Sequence, residues 1–368
     1  MRPDAALLHG RVPYVGAMTA PETATRPENP RVAAVVYNPV KVDVDVLRAA
    51  VADAQERNGW GETLWFETSV DDPGGEVTKK ALDQGAAVVM AAGGDGTVRA
   101  VAEQLRGTGV PIALLPSGTG NLLARNLDLT LDDQPGSIEV AFTGKDRHID
   151  LGVFEARMAD GTLSRNAFLV MAGLGLDAQM IVNTNEELKK KVGWLAYVDA
   201  IARSLRGGSR LRMRYRLDSE PTRGMTAHTI LIGNCGSLPA NILLLPEAAV
   251  DDGLFDIVAL RPKGLFGWLQ IWVKIAWENG VLRRTEVGRR LMGTSKEVRA
   301  LRYMKGRQLV MRFAEPEEYE LDGDAFGKAI AIRAYIDAGA LVVRIPQDEE
   351  IASDQEVGAA RHSVDVPQ

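Results

Sequence analysis

Residues 86–97 read AAVVMAAGGDGT, and the fold can be worked out from this stretch in both directions. The apolar run 86–92 predicts a buried strand. Gly93, Gly94, Asp95, Gly96 and Thr97 follow it directly and open onto a helix predicted over 97–105. Glycines let the backbone turn sharply and approach a ligand closely, while the free amides and positive end of the next helix favour phosphate. Asp95 is the informative residue, because a carboxylate beside a phosphate cradle is repulsive unless a cation such as magnesium lies between them. The alternative is a plain Gly-rich turn in which Asp95 caps the helix.

Upstream, 32–37 is an apolar run closed by Asn38 and Pro39 and predicts a strand, followed by a helix over 43–56, a strand over 63–67 and a helix over 76–83. Downstream, 111–115 predicts a fourth strand. Alternation of this kind predicts a parallel sheet with helices on both faces, where ligands bind beyond the carboxyl ends of the strands. A second loop, Pro116, Ser117, Gly118, Thr119, Gly120 and Asn121, lies at the same edge. Its amides, the Ser117 and Thr119 hydroxyls and the Asn121 amide can wrap a di- or triphosphate. Alone it is weak, since Ser, Gly and Asn are ordinary turn residues.

The chain has 368 residues, a prior of two domains plus tails. Its 43 Lys and Arg against 49 Asp and Glu give a net charge of -6, which argues against nucleic acid as the partner. With 46% hydrophobic and 25% charged residues a sizeable core can form. The single cysteine, Cys235, excludes an intrachain disulfide framework and any Cys-rich zinc site, in keeping with a reducing compartment. The richest apolar run, 264–277, is broken by Gln270 and Lys274, so no membrane-spanning helix is expected. Residues 1–30 lack the apolar core of a secretory signal and read as a flexible tail, and 348–368 as an acidic one. The expected location is the cytoplasm.

After about Lys145 short strands dominate, over 151–157, 166–172, 210–217, 227–234 and 255–260. Helical stretches interrupt them at 186–206 and 265–279, and 309–346 predicts at least three further strands around the turn Leu321, Asp322, Gly323, Asp324. The expected boundaries are therefore a tail over 1–30, an α/β domain over 31–144, a β-rich, sandwich-like domain over 145–347 whose last segment returns to the first, and a tail over 348–368. The stretch Gly173 to Ala178 fits G-x-G-x-x-A, but a dinucleotide site would need a βαβ unit here.

On the Tyr37, Asn38, Pro39 strand end, GGDGT at 93–97, LPSGTGNLLARNL at 115–127, LLLPEAAVDDGLFDIVAL at 243–260 and LDGD at 321–324, the chain resembles the diacylglycerol kinase catalytic-domain family. That family includes bacterial lipid kinases and sphingosine and ceramide kinases, and is more distantly similar to the NAD kinases. The resemblance implies a Rossmann-like, NAD kinase-like α/β half and a β-rich half with ATP between them. It also implies magnesium-dependent transfer of the γ-phosphoryl group to the hydroxyl of diacylglycerol or a related lipid.

Carried over by position, Asn38, Pro39, Thr68, the loop Gly93, Gly94, Asp95, Gly96 and Thr97, and Ser117, Gly118, Thr119 and Asn121 are the nucleotide-binding candidates. Asp322 and Asp324 fall on the family's Asp-Gly-Glu element, which with Asp95 supplies the catalytic candidates. Asp252, with the backbone carbonyls of Ala249 and Leu254, corresponds to a structural magnesium site. Without the resemblance, each acidic stretch is an ordinary turn. Three residues depart from the pattern: Arg99 and Ala100 stand where members have Asn and Glu, and Leu122 where they have Asp. These losses keep open a nucleotide-binding, membrane-attached regulator without turnover, and an acceptor of the NAD kinase type is the enzymatic alternative.

Partners expected on this reading are ATP, a lipid alcohol and, transiently, a membrane surface. Trp268, Trp272 and Trp277 lie along 265–279, where interface contact and core packing are equally open. Lys189 to Lys191, Arg203, Arg206, Arg210, Arg212, Arg214 and Arg216 form a basic stretch. Arg212, Arg214 and Arg216 alternate with apolar residues and should share one exposed strand face, suited to anionic headgroups or merely solvated. The acceptor's identity and the oligomeric state stay open, a homodimer included.

Overall fold

The computed structural model describes residues 30–175, 210–238, 242–262, 271 and 301–347. The two expected helices over 186–206 and 265–279, both tails, the tryptophans on 265–279 and the basic residues before Arg210 lie outside the described residues, as do Leu176 to Ala178.

The first half alternates strand and helix as the apolar pattern demands: β1 (Ala33–Tyr37), α1 (Val44–Arg57), β2 (Leu64–Glu67), α2 (Gly75–Asp83), β3 (Val88–Gly93), α3 (Asp95–Leu105), β4 (Ile112–Pro116), α4 (Leu122–Asn126) and α5 (Gln134–Thr143). Strands β2, β1, β3 and β4 are neighbours in that order and all pair in parallel. Residues of β1 and β3 are buried throughout because both faces are covered. Ala34, Val36, Val89 and Ala91 pack with Val101, Ala102 and Leu105 of α3 on one side. Ala33, Val35, Val88 and Met90 pack with Leu47 and Val51 of α1 and Ile138 of α5 on the other.

Helix α2 shows how the loops at this edge are held. Its cap residue, Gly74, has no side chain to offer, and the Asp72 carboxylate instead accepts the amides of Gly74, Glu76 and Val77, each at 3.1 Å. Burial pushes this carboxyl up, but the amide donors pull harder and hold it below the usual range. Its contribution is therefore complete above the ordinary carboxylate pKa and lost as pH falls through the lower folded value. Asp72→Ala is expected to cost about 1–2 kcal/mol at neutral pH. The gap to wild type in urea unfolding should close in strong acid.

The second half is antiparallel. It comprises β5 (Lys145–Met158), β6 (Leu163–Phe168), β7 (Met171–Leu174), β8 (Leu211–Leu217), β9 (Arg223–Ala227), β10 (Thr229–Gly233), β11 (Ser237–Leu238), β12 (Ile242–Leu243), β13 (Phe255–Leu260), β14 (Leu301–Gly306), β15 (Gln308–Leu321) and β16 (Asp324–Ile345). The last segment forms one hairpin of two long strands, β15 and β16, rather than at least three. Irregular register shifts, as between Arg312 and Glu317, bend the strands without ending them. One expected strand, 166–172, is divided between β6 and β7 by Leu169 and Val170, whose amides are diverted to a side chain described below.

Strand β16 joins the halves. It pairs along its length with β5 and, at Val343 against Ile112, runs parallel beside β4, so among the described residues a 14-stranded sheet crosses both halves. The β-rich core is built around Phe154, Phe168, Tyr215, Phe255 and Tyr319, with Phe154 stacked on Tyr319 at 5.0 Å between ring centroids. Because β15 and β16 meet at the turn Asp322, Gly323, this hairpin delivers its tip to the edge where the β3 and β4 loops lie.

Candidate active site

The carboxyl edge of the parallel sheet gathers the expected nucleotide contacts. The Asn38 backbone amide donates to the Ala92 carbonyl and the Thr68 backbone amide to the Tyr37 carbonyl, both at 2.9 Å, which ties the loop after β1 to the end of β3 and the loop after β2 to the end of β1. Asn38 Oδ1 accepts the Val40 amide at 3.0 Å and so fixes the turn at Pro39. Thr68 and Thr97 are buried. Gly94, the cap of α3, brings no side-chain acceptor to the first turn of that helix.

The loops after β3 and β4 pack backbone against backbone. A Cβ on Gly118 would lie 3.0 Å from Gly94 Cα, and one on Gly120 would lie 2.2 Å from Asp95 Oδ2, so hydrogen is the only side chain that fits at Gly120 without moving Asp95. Asp95 Oδ1 accepts the Leu122 amide at 2.6 Å. Asp95 thus holds the first amide of the neighbouring helix α4 rather than capping its own helix, and welds the two loops together. Burial pushes its carboxyl up, opposed by the amides of Leu122 and Asn121.

Asn121 adopts a left-handed conformation and clasps its own loop. Its Oδ1 accepts the Gly118 amide at 3.1 Å and its Nδ2 donates to the Gly118 carbonyl at 3.0 Å. Ser117 Oγ donates to the Leu115 carbonyl at 2.9 Å. These two side chains therefore shape the loop, and Thr119, which is exposed, presents the free-facing hydroxyl.

Asp322 and Asp324 flank Gly323 and turn opposite ways. Asp322, in left-handed conformation, is buried, and its carboxylate accepts three amides: Leu169 at 2.8 Å, Val170 at 2.8 Å and Met171 at 2.9 Å. Burial raises this carboxyl against the pull of those donors. Its described hydrogen bonds all run to the β6–β7 junction, so the carboxylate holds the turn in place. Asp324 points outward, its side chain 54% exposed, and pairs with Arg99 Nη2 at 2.6 Å. Its Oδ2 would lie 2.9 Å from a Cβ on Gly96, directly over the start of α3. Arg99 is itself 11% exposed, stacks on Phe326 at 4.6 Å, and leaves its Nε buried without a partner.

At the third candidate site, Asp252 Oδ1 accepts the Leu254 amide at 3.0 Å and Asp252 Oδ2 is held by Lys305 Nζ at 2.8 Å. The donors present do not fit a divalent ion coordinated by Ala249, Asp252 and Leu254, because an ammonium already faces the carboxylate. Among the described residues no group of three or more ligating side chains is assembled.

Comparison with known proteins places this arrangement. Residues 33–154 match the diacylglycerol kinase catalytic domain, and residues 169–343 match the YegS C-terminal NAD kinase beta sandwich-like domain. A Pseudomonas aeruginosa protein named "Probable lipid kinase YegS-like" is 30% identical over 319 residues, covering 83% of this chain and 94% of the relative. The chain belongs to the diacylglycerol kinase catalytic-domain family. The diacylglycerol kinase of Mycobacterium tuberculosis is 31% identical over 180 residues, 48% of this chain and 56% of the relative. The crystal structure of a diacylglycerol kinase from Bacillus anthracis has the same fold, with a TM-score of 0.62 at 18% identity over 89% of this chain and 100% of that one.

Within this diacylglycerol kinase-family fold the departures acquire positions. Arg99 faces the acidic turn, and Leu122 turns its side chain into the core while its amide serves Asp95. Sequence reasoning singled out Arg99 as a substitution but not as the partner of Asp324. It missed Phe326 and Lys305 altogether. An arginine one turn into the helix after GGDGT was the available signal for the first; for Lys305, delivered by strand pairing, there was none.

Proposed function

We propose that the chain is an ATP- and magnesium-dependent lipid kinase that transfers the γ-phosphoryl group to the hydroxyl of diacylglycerol or a related lipid. The single observation that carries this reading is the outward carboxylate of Asp324 over Gly96, at the start of a helix whose loop is welded to a second glycine loop by Asp95. Phosphates on the loop amides and the α3 dipole would bring the γ-phosphorus beneath Asp324. The lipid hydroxyl oxygen attacks that phosphorus, the bond to the bridging oxygen breaks, ADP leaves, and the hydroxyl proton passes late to Asp324. Arg99 orients the carboxylate and offsets its charge.

Magnesium, when bound with the nucleotide, neutralises phosphate charge as the bond breaks. Burial above all, and the Asp324 carboxylate in smaller part, raise the Asp95 carboxyl, so this spot suits a cation carried in on the triphosphate, and Asp95 and Asp324 are the side chains that would face it.

Membrane contact is supported by the exposed face on which Arg212, Arg214 and Arg216 of β8 alternate with buried residues, with exposed Arg312 opposite Arg214. Such a face suits anionic headgroups. Among the described residues no helix is long and apolar enough to cross a membrane.

Mass-spectrometric comparison of products after incubation with ATP and diacylglycerol, a sphingoid base, or NAD tests the acceptor class. A phosphorylated lipid supports the reading, whereas phosphorylated NAD alone replaces it with the soluble-acceptor alternative. The Arg99–Asp324 ion pair favours one rival, a nucleotide-binding regulator, which predicts bound ATP and no product with any acceptor.

A further inference from the structure

Three oxygens converge on one ammonium at the junction of β13 and β14. Lys305 Nζ lies 2.8 Å from Asp252 Oδ2, 3.3 Å from Asp256 Oδ2 and 3.2 Å from the Glu247 carbonyl. The Glu247 carbonyl takes one of the three ammonium donors as a hydrogen bond, and the Asp252 and Asp256 carboxylates face the ammonium as ion pairs, Asp256 Oδ2 being otherwise buried without a hydrogen-bond partner.

The arrangement is built by the fold rather than by chance encounter of surface chains. Asp256 and Lys305 are direct partners in the antiparallel ladder of β13 and β14. Asp252 comes from a turn that is fixed independently by a buried carboxylate, Asp150. Asp150 Oδ2 accepts the Gly253 amide at 2.6 Å, its Oδ1 accepts the Gly339 amide at 2.8 Å, and its own amide donates to the Val250 carbonyl at 2.7 Å. The turn therefore has little freedom to carry Asp252 away from Lys305. Asp251, the other nearby carboxylate, is already paired with Arg147 at 2.7 Å.

The chemistry of this cluster is that of a cation site whose cation is covalently attached. Asp252 and Asp256 are close enough to repel each other, Asp256 is nearly buried, and burial pushes its carboxyl up while Lys305 opposes the shift. Something positive must lie between them. A magnesium ion requires oxygen ligands at about 2.0–2.1 Å in near-octahedral array and holds its waters tightly, and it cannot share the pocket with an ammonium bound to the same oxygens.

We infer that Lys305 is the resident cation of the Asp252 turn, replacing a structural divalent metal, so that this part of the fold needs no magnesium. The inference is independent of what the enzyme phosphorylates. Any magnesium requirement of activity then belongs to the nucleotide alone.

The test is thermal unfolding of the full chain, without nucleotide or lipid, in chelator and in millimolar magnesium chloride at matched ionic strength. Wild type is expected to show the same Tm in both. Lys305→Ala should unfold about 3–6 °C lower in chelator and recover part of that loss in magnesium, because two carboxylates and a carbonyl are then left without a cation. Asp252→Asn should also unfold lower, with no recovery. A wild-type Tm that rises in magnesium and no longer does so in Asp252→Asn would overturn the inference, as would a Lys305→Ala protein as stable as wild type in chelator.

Discussion

Asp324→Asn is expected to lower phosphoryl transfer by about 10²–10⁴-fold, the usual contribution of a positioned acid–base group. It should leave nucleotide affinity and Tm close to wild type. The separation follows from geometry. The Asp324 side chain is half exposed and its one described ion pair is with Arg99, so little of the fold rests on it. Asparagine keeps an acceptor for the Arg99 guanidinium but cannot take the proton of an attacking hydroxyl. Steady-state rates with saturating ATP, together with ATP titration in the absence of acceptor, read the two quantities apart. Wild-type turnover in this variant would remove Asp324 from the chemistry.

Asp322→Ala should have the opposite signature. Its carboxylate is the acceptor for three buried amides, at Leu169, Val170 and Met171. Removing it leaves those donors unsatisfied, at a cost on the order of 3–5 kcal/mol. That is a large part of the 5–15 kcal/mol by which a typical domain is stable, so the variant should unfold at much lower urea and be prone to aggregation. Asp322→Asn, which keeps one acceptor oxygen, should fall between. Activity will drop in both variants because Asp324 is two residues away on the same turn, and the drop should scale with the loss of folded protein. An Asp322→Ala protein with wild-type urea stability would show that the three amides find other partners.

How legible all this was in the sequence depended on the range of the interactions. The α/β half could be read closely as far as β4, since β1, β3 and β4 are apolar runs and α1, α2 and α3 begin at a glycine or an acidic cap close in sequence, whereas α4, capped by Asn121, and α5 were not read. The two glycine loops were plain as motifs, although what requires glycine at Gly118 and Gly120 is the approach of Gly94 and Asp95 from the neighbouring loop. The acidic turn was legible as a site but not in its division of labour. Asp322 and Asp324 have the same chemistry, and only the β6–β7 junction, some 150 residues earlier in the chain, decides which carboxylate is consumed inside and which remains outside. The same applies to Arg99, whose partner is 225 residues away, and to Lys305, which reaches Asp252 and Asp256 through strand pairing. The length of the β15–β16 hairpin was hidden because its register shifts break the alternating pattern that marks one strand.

The measurement that bears most directly on the central claim uses radiolabelled ATP, magnesium and a total bacterial lipid extract, with organic extraction and chromatography of the products. Wild type, Asp95→Asn and Asp324→Asn would be run in parallel. The account predicts a labelled lipid with wild type that is lost in both variants. Label confined to the aqueous phase with folded, ATP-binding wild-type protein would contradict it.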